Sequence, residues 1–493
     1  MRKILFFFII LFTISLNSFA GYENNENCRN ARMLLMDLKI DEAKQLLKYE
    51  LSVNPQNYYA YYLDQTCDAY LILINSSDKE YETFIDNYEK KRELMDDKYV
   101  NSPYYLACKS EMEMQAGMFN IIHGEEFSGV NKMYKAYKEV YKNLEKYPDF
   151  KPSLMLDGFF NVAMANLPPF VKWVTSFFGV SSDFDYGIKL LNSLYQSQRN
   201  IKGTNAETAL FIIFAAKINK TPEKAYAFTH SLDSNISKLF IFQYFKANIE
   251  YRMGKNEEAL ATLKQIDIDN HPDGEIIYNY FMGKILLRKL DENAERYLNK
   301  YLTQLKKQEY FKEVTYGLAQ INLMRGDIDE YYELCEIVKS KGADINERDR
   351  EALYDASLDY MPDVNLVKAK LLLDGSYLVR FKEELIAYEQ QPKLQLPYQL
   401  EHDLLKGRYE MATGDNAAAI ISFQKVIDSG KKEKYYFASE AALRLGNIYE
   451  NSNYPEKAKK YYKLSIDLYK SNFYEYIGDK AEKALKRVKA KTS

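Results

Sequence analysis

Four histidines and four cysteines are the side chains of this chain best suited to hold a metal or to act as nucleophiles, and their spacing favours neither. His123, His230, His271 and His402 stand far apart, none with a second His, a Cys or a carboxylate at ligand spacing, whereas a zinc helix needs paired donors one turn apart. The string His123-Gly124-Glu125-Glu126 lacks that second histidine. Cys28, Cys67, Cys108 and Cys335 sit in no catalytic pattern and are too sparse for a disulfide-built fold. The first three are spaced 39 and 41 residues, about one helical hairpin each, so two could meet on stacked helices in an oxidising compartment. Sequence does not fix the Cα separation a bridge needs, and buried free thiols are the plainer reading. There is no Gly-x-Ser-x-Gly elbow and no phosphate-binding Gly loop. The pairs Glu257-Glu258 and Glu383-Glu384 fall on predicted exposed helix faces as solvated charge. These residues predict no enzyme, with no catalytic, cofactor-binding or metal site, and no motif marks the residues that would contact a partner.

Composition narrows the partner class. Met1 to Ala20 has a basic start at Arg2 and Lys3, an apolar run from Ile4 to Leu16 and small residues before Gly21, the pattern of a cleaved signal peptide. The run is shorter than the ~20 residues needed to span a bilayer, which disfavours a permanent anchor. No Cys follows Ala20 to carry a lipid, and no later segment is long and apolar enough to cross a membrane. Loss of Arg2 and Lys3 takes the formal charge from -3 to -5, with both signs interspersed, so a nucleic-acid binder with a basic stripe is not expected. The expectation is an exported protein, soluble in the periplasm after cleavage, with association to the outer membrane as a further option.

The elements that would position any site are helical hairpins. Ala31, Leu34, Ala43, Leu47 and Pro55 take the small, large, small, large and terminating positions of a tetratricopeptide repeat, in which small residues lie where paired helices cross closely. Tyr58 to Asn75 with Asp78 to Met95, and Pro103 to Gly117 with Val130 to Tyr147, read as further hairpins. Asn205 to Ile218 pairs with Pro222 to Ser231, Thr221 being placed as a cap and Pro222 at the first helical position. Ala247, Gly254, Ala259 and Leu263 mark the next repeat, Gly283, Ala294, Leu298 and Tyr301 another, and Ala319, Gly326 and Tyr331 a third. Lys341 to Arg350 reads as a longer connection. Further on, the turns fall at Gly375, Gly414 and Asn453, 39 residues apart, and Gly407 and Gly446 repeat that interval. The last helix, Tyr476 to Ala490, is Lys-rich and reads as the polar outer face of a cap, with attraction to anionic lipid as the alternative.

One stretch breaks the monotony. Leu154 to Leu167 is apolar nearly all round, Pro168-Pro169 ends it, and Phe170, Val171, Trp173, Val174, Phe177 and Phe178 form one face of a short helix that Gly179 terminates. Phe184, Gly187, Ile188, Leu191, Leu194 and Tyr195 mark a third helix. The sole tryptophan, Trp173, is expected to be buried against the helix before it, with contact to a lipid interface as the competing reading. Tyr134, Tyr137, Gly158 to Asn161, Leu167 to Pro169, Phe178-Gly179 and Asp183 to Gly187 resemble, in order and character, the eukaryotic tetratricopeptide repeat protein 39 and inclusion-body-clearance family. The resemblance covers residues 130–194 and implies an all-helical interaction protein without known catalysis. The export signal departs from that family, whose members act inside cells.

The predicted fold is all-α, a tetratricopeptide-like helical solenoid with an apolar helical insertion near the middle of its N-terminal half. Its parts are a signal peptide at 1–20, hairpins at 21–150, the apolar cluster at 151–200, middle repeats at 201–340 and C-terminal repeats with a capping helix at 341–493. Such hairpins leave apolar sides that only neighbours can cover. The predicted function is therefore a non-enzymatic scaffold binding a protein or peptide in the cell envelope. The alternative is a glycan or envelope-polymer binder using a Tyr-rich surface, since the chain has 44 Tyr.

Overall fold

The computed structural model describes residues 21–165, 182–198, 205–219, 221–468 and 475–492. The expected signal peptide, and the apolar face at Phe170–Phe178 with Trp173, lie outside the described residues. Within them there are twenty-four α-helices and no strand. In chain order the first twelve are α1 (Glu26–Met36), α2 (Ile40–Val53), α3 (Tyr58–Ile74), α4 (Asp78–Met95), α5 (Pro103–Ile122), α6 (Glu126–Lys146), α7 (Lys151–Ala165), α8 (Phe184–Gln198), α9 (Ala206–Ile218), α10 (Pro222–His230), α11 (Phe240–Arg252) and α12 (Asn256–Leu263). The second twelve are α13 (Glu275–Lys289), α14 (Ala294–Gln304), α15 (Phe311–Arg325), α16 (Ile328–Ser340), α17 (Glu347–Ala356), α18 (Val364–Asp374), α19 (Leu378–Gln390), α20 (Leu396–Ala412), α21 (Asn416–Gly430), α22 (Phe437–Asn451), α23 (Pro455–Leu468) and α24 (Glu475–Thr492). They fall into two compact units, one drawn from Met1–Met253 with Ala261–Tyr278, the other from Gly254–Leu260 with Asn279–Ser493.

Hairpins close through a small residue on the first helix facing a large one on the second. A Cβ on Gly446 of α22 would lie 2.4 Å from the ring of Tyr462 on α23, and one on Gly407 of α20 would lie 2.7 Å from the ring of Phe423 on α21. Gly283 of α13 stands in the same relation to Leu298 of α14, at 2.5 Å. Leu298, Phe423 and Tyr462 are buried, as are Ala31 and Ala43 at the crossing of α1 and α2. The predicted end of a helix at Gly117 is corrected: α5 runs on to Ile122, and Gly117 is the point where α5 crosses α6, its absent Cβ lying 2.9 Å from the carbonyl of Gly129. Gly158 and Gly187 do the same for α7 and α8, a Cβ on Gly187 reaching the Gly158 carbonyl at 2.7 Å.

Turns set the period. From α11 onward the turn inside each hairpin carries a left-handed residue, at Gly254, Leu290, Gly326, Ser376, Gly414 and Asn453, with Tyr310 and Gly342 left-handed between hairpins. Steps between the hairpin turns are 36, 36, 50, 38 and 39 residues, the long one falling between Gly326 and Ser376. In the turn expected at Gly375 the left-handed residue is Ser376, while Gly375 has φ -93° and serves as the C-cap of α18. Gly375 is small for packing instead: a Cβ there would meet the Tyr377 ring at 2.6 Å. The expected cap at Thr221 is also corrected, because its hydroxyl donates back to the carbonyl of Ala216 and makes no cap bond to α10.

Several helices that lack a local cap receive one from far along the chain. Lys39 and Leu239 precede α2 and α11 and cannot cap them. Asp273 accepts the N–H groups of Ile40 at 2.7 Å and Asp41 at 3.3 Å, and Asp37 accepts that of Phe240 at 3.0 Å. His271 reaches Asp37 at 3.1 Å. These bonds join α1 and α2 to Phe240, His271 and Asp273 within the first unit. Met36 at the end of α1 shares a core with Met155, Leu191 and Phe242.

All four cysteines are free and buried. Burial pushes the thiols of Cys28 and Cys67 up to about 12. We expect native protein to react with a thiol-specific reagent far more slowly than unfolded protein, which should titrate to four thiols; rapid labelling of the folded chain would contradict the burial. Gly446→Ala should destabilise the second unit by about 1–3 kcal/mol through overpacking against Tyr462, measured by denaturant unfolding, whereas Gly414→Ala should act only through backbone strain because nothing lies within 4 Å of its Cβ position.

Candidate functional site

The interval of 50 residues between the hairpin turns at Gly326 and Ser376 has a cause: the expected connection at Lys341 to Arg350 leads into an additional helix, α17, between the hairpins α15–α16 and α18–α19. Local sequence accounts for the helix. Asn346 accepts the N–H groups of Arg348 and Asp349 at 2.9 Å each, and Glu347 and Asp349 place negative charge in the first turn. Asp349 is fully buried and accepts the N–H of Tyr310 at 2.6 Å and of Glu313 at 3.0 Å, capping α15, whose own preceding residue, Tyr310, is left-handed and offers no cap. One carboxylate thus fastens the start of α17 to the start of α15.

Beyond that anchor, side chains of α17 reach those of the later helices. Glu347, Glu351 and Asp355 recur every fourth residue along α17, the helical repeat that aligns side chains in one row, and Asp359 continues the interval in sequence beyond the helix end. Glu347 pairs with Lys480 of α24 at 2.9 Å. Glu351 and Asp355 share Lys370 of α18 at 3.5 and 3.4 Å. Asp359, just past the helix end, pairs with Lys434 and accepts the hydroxyl of Tyr435 at 3.2 Å. Tyr354 meets Tyr436 edge-on with ring centroids 5.8 Å apart and packs in the cluster that holds Leu443 and Tyr476. Tyr360 continues the contact against Tyr398 and Tyr435.

The face beneath is a belt of alternating charge. Arg408 of α20 pairs with Asp374 of α18, and Arg444 grips Glu440 on α22 at 2.6 and 2.8 Å. Burial opposes the charge of Asp374, yet Arg408, Arg288 and Lys370 hold it well below the usual carboxylate range. Burial likewise works against Lys370, but Asp355, Tyr436 and Glu351 carry it well above the ordinary lysine value. Glu401 is pushed up to about 7, mainly by burial, with Lys370 pulling the other way. What this arrangement does chemically is hold an acidic helix on a basic and tyrosine-rich surface.

The first unit covers its inner face differently. Arg32 of α1 pairs with Glu207 of α9 at 3.0 Å and donates to the hydroxyl of Tyr59, while Tyr62 donates to Glu111 of α5. Burial and the neighbouring Glu207 push Glu111 up to about 7 against the pull of Tyr62 and Arg32. At the α7–α8 junction, Asp157 accepts the hydroxyls of Tyr141 at 2.7 Å and Tyr186 at 2.8 Å, and Asn161 binds Asp157 and the Asp183 N–H.

The histidines read as isolated each face a carboxylate in space. His123 stacks on Tyr81 with centroids 3.8 Å apart and lies 3.7 Å from Asp78; His230 lies 3.5 Å from Glu250; His402 bridges Glu389 at 2.9 Å and Asp403 at 3.2 Å. Burial opposes protonation of His402, but those two carboxylates raise its pKa. Glu257, read as solvated charge, accepts the Tyr377 hydroxyl at 2.8 Å and pairs with Lys289 at 2.8 Å. The carboxylate row on α17 was missed, although its signal is in the sequence: an Asn cap followed by acidic residues at four-residue intervals.

Residues 439–472 match the family model described as tetratricopeptide repeat. No curated protein matches. Among solved structures the chain is similar to the human IFIT1 dimer with PPP-AAAA at 12% identity, with 85% of this chain and 96% of that one covered and a TM-score of 0.29. It is similar to yeast Tom70 at 12% identity, with 94% and 95% covered and a TM-score of 0.27, and to the APC/C hetero-tetramer Cut9–Hcn1 at 13% identity, with 92% and 94% covered and a TM-score of 0.24.

Glu401 gives a pH test with a definite sign. A carboxyl whose folded pKa is raised contributes its stability fully below the ordinary value of 4.5 and loses it as pH rises through about 7. Glu401→Gln should therefore leave unfolding unchanged near pH 4.5 and raise the midpoint at pH 8; an equal shift at both pH values would remove the assignment. The tetratricopeptide-repeat match at 439–472 runs over the hairpin α22–α23, and among the described residues the chain is all-helical.

Proposed function

We propose that this protein is a non-enzymatic scaffold that binds a protein partner on the inner face of its second unit, formed by α18, α20, α22 and α24. The observation that carries this reading is the pair Lys370 and Lys480, which project from α18 and α24 and already hold a polypeptide, α17, beside Arg408 and Arg444, which pair with Asp374 and Glu440. A tetratricopeptide repeat at 439–472 supports it, since stacked repeats present an extended surface for protein ligands. The likeness of residues 130–194 to the tetratricopeptide repeat protein 39 family supports the same class of role. The sequence of residues 1–20 supports export to the envelope, and no helix among the described residues is long and apolar enough to cross a membrane. Tyrosine is mostly used for packing: among the described residues only Tyr49, Tyr99, Tyr186, Tyr332 and Tyr454 are exposed, so no observation favours the glycan reading.

The test is capture from the native host with tagged full-length protein, run beside a Lys370→Glu/Lys480→Glu variant. A stoichiometric partner retained by the first and lost from the second, with helical circular dichroism unchanged, is the expected result. A partner held equally by both would place binding elsewhere.

A further inference from the structure

Residues 21–25, ahead of α1, are fastened to the first unit along their length. The carbonyl of Gly21 accepts the N–H of Tyr58 at 2.7 Å, the first free donor of α3, whose preceding residue Asn57 makes no side-chain cap bond. Tyr22 is 1% exposed, its ring centroid 5.7 Å from that of Tyr58 and 6.2 Å from that of Tyr105, and it belongs to the same core as Leu47, Leu63 and Phe84. Glu23 exchanges two bonds with the Asn57 side chain, giving its N–H to Oδ1 and taking Nδ2 on its carbonyl, each at 3.0 Å. Asn25 caps α1 by accepting the Cys28 N–H at 3.1 Å and donates to the buried Glu50 at 2.7 Å. The stretch is a strap, and its second residue is a core residue.

Gly21 also fixes how the chain enters. Its φ of +87° is open to glycine, and a Cβ there would fall 2.0 Å from the Tyr99 ring. A peptidase holds its substrate extended, through main-chain hydrogen bonds on both sides of the bond it cuts. In the folded unit the Gly21 carbonyl is committed to Tyr58 and the Tyr22 side chain to the core, so neither residue can be offered in that form. The small residues ending at Ala20 mark the same junction in the sequence. We propose that the peptide bond before Gly21 is a processing site open only while the first unit is unfolded, and that cutting it makes Gly21 the first residue of the strap that folding then locks. Water adds across the bond, leaving a carboxylate on Ala20 and an amino group on Gly21. This rests on the reading of residues 1–20 as an export signal. Cleavage comes first and closure of the unit second; a chain that folds uncut stays uncut.

Two measurements separate the order of events from export itself. Intact mass of the protein purified from its native host should give a chain beginning at Gly21. A start at another residue would overturn the site while leaving export in place, and a chain retaining residues 1–20 would overturn both. The second measurement leaves export aside: a soluble tag replaces residues 1–20 and ends in the recognition sequence of a site-specific protease that accepts glycine after its cut, so that cleavage again falls before Gly21. The folded fusion should be cut about a hundredfold more slowly than one with a short Gly-Ser spacer ahead of Gly21, because cutting waits for local opening. Equal rates for the two would overturn the proposal. Should the unspaced fusion fail to fold, amide hydrogen exchange on the chain that begins at Gly21 decides: the N–H groups of Glu23 and Tyr58 should exchange as slowly as those within α3, and exchange at unfolded-chain rates would sink the idea.

Discussion

Close crossing of paired helices is the constraint from which the rest of this structure follows. A hairpin whose first helix carries Gly at the crossing admits a whole Phe, Tyr or Leu side chain from the second, and Gly446 with Tyr462, Gly407 with Phe423 and Gly283 with Leu298 repeat that fit. Packing at interior density leaves no slack for a methyl group there. Once the crossing is fixed, so are the directions in which the other faces of the first helix point. One meets the next hairpin, and another looks inward, where Lys370, Asp374, Glu401, Arg408, Glu440 and Arg444 stand.

An inward face of stacked helices must be hydrated, paired or covered, and the two units meet the requirement by different means. In the first unit α1 reaches α9, so that Arg32, Glu207, Tyr59, Tyr62 and Glu111 form a half-buried polar cluster within the unit itself. In the second an additional helix supplies counter-charges for the lysines. Either way charges are neutralised by partners rather than by water alone, at a desolvation cost recorded in the raised pKa values of Glu111 and Glu401.

Much of the fold was legible because the repeat signal is local. Ala31, Ala43, Ala259, Ala419 and Ala458, the small residues expected where paired helices cross, are all buried, and Ala419 and Ala458 stand one hairpin apart. Pro103 and Pro222 announce helix starts that the structure keeps. What escaped was whatever depends on residues distant in sequence. The caps that Asp37, Asp273 and Asp349 give to α11, α2 and α15 have no signature near those helices, because the donor groups wait for a carboxylate more than 30 residues away. Gly117 misled for a related reason: glycine in a helix weakens local propensity, and only the presence of Gly129 opposite shows that it serves a crossing. The row at Glu347, Glu351, Asp355 and Asp359 was readable as a helix face, but nothing near it discloses Lys480, which lies 133 residues on.

Placement of α17 between α16 and α18 makes it part of the same molecule as the face it covers. A segment joined at both ends to its own site is present there at an effective concentration of order millimolar or above, independent of how much protein the compartment holds. Dilution does not release it. The insertion of one short helix into a connection therefore keeps Lys370 and Lys480 paired at any protein concentration, which the bare array of hairpins would not.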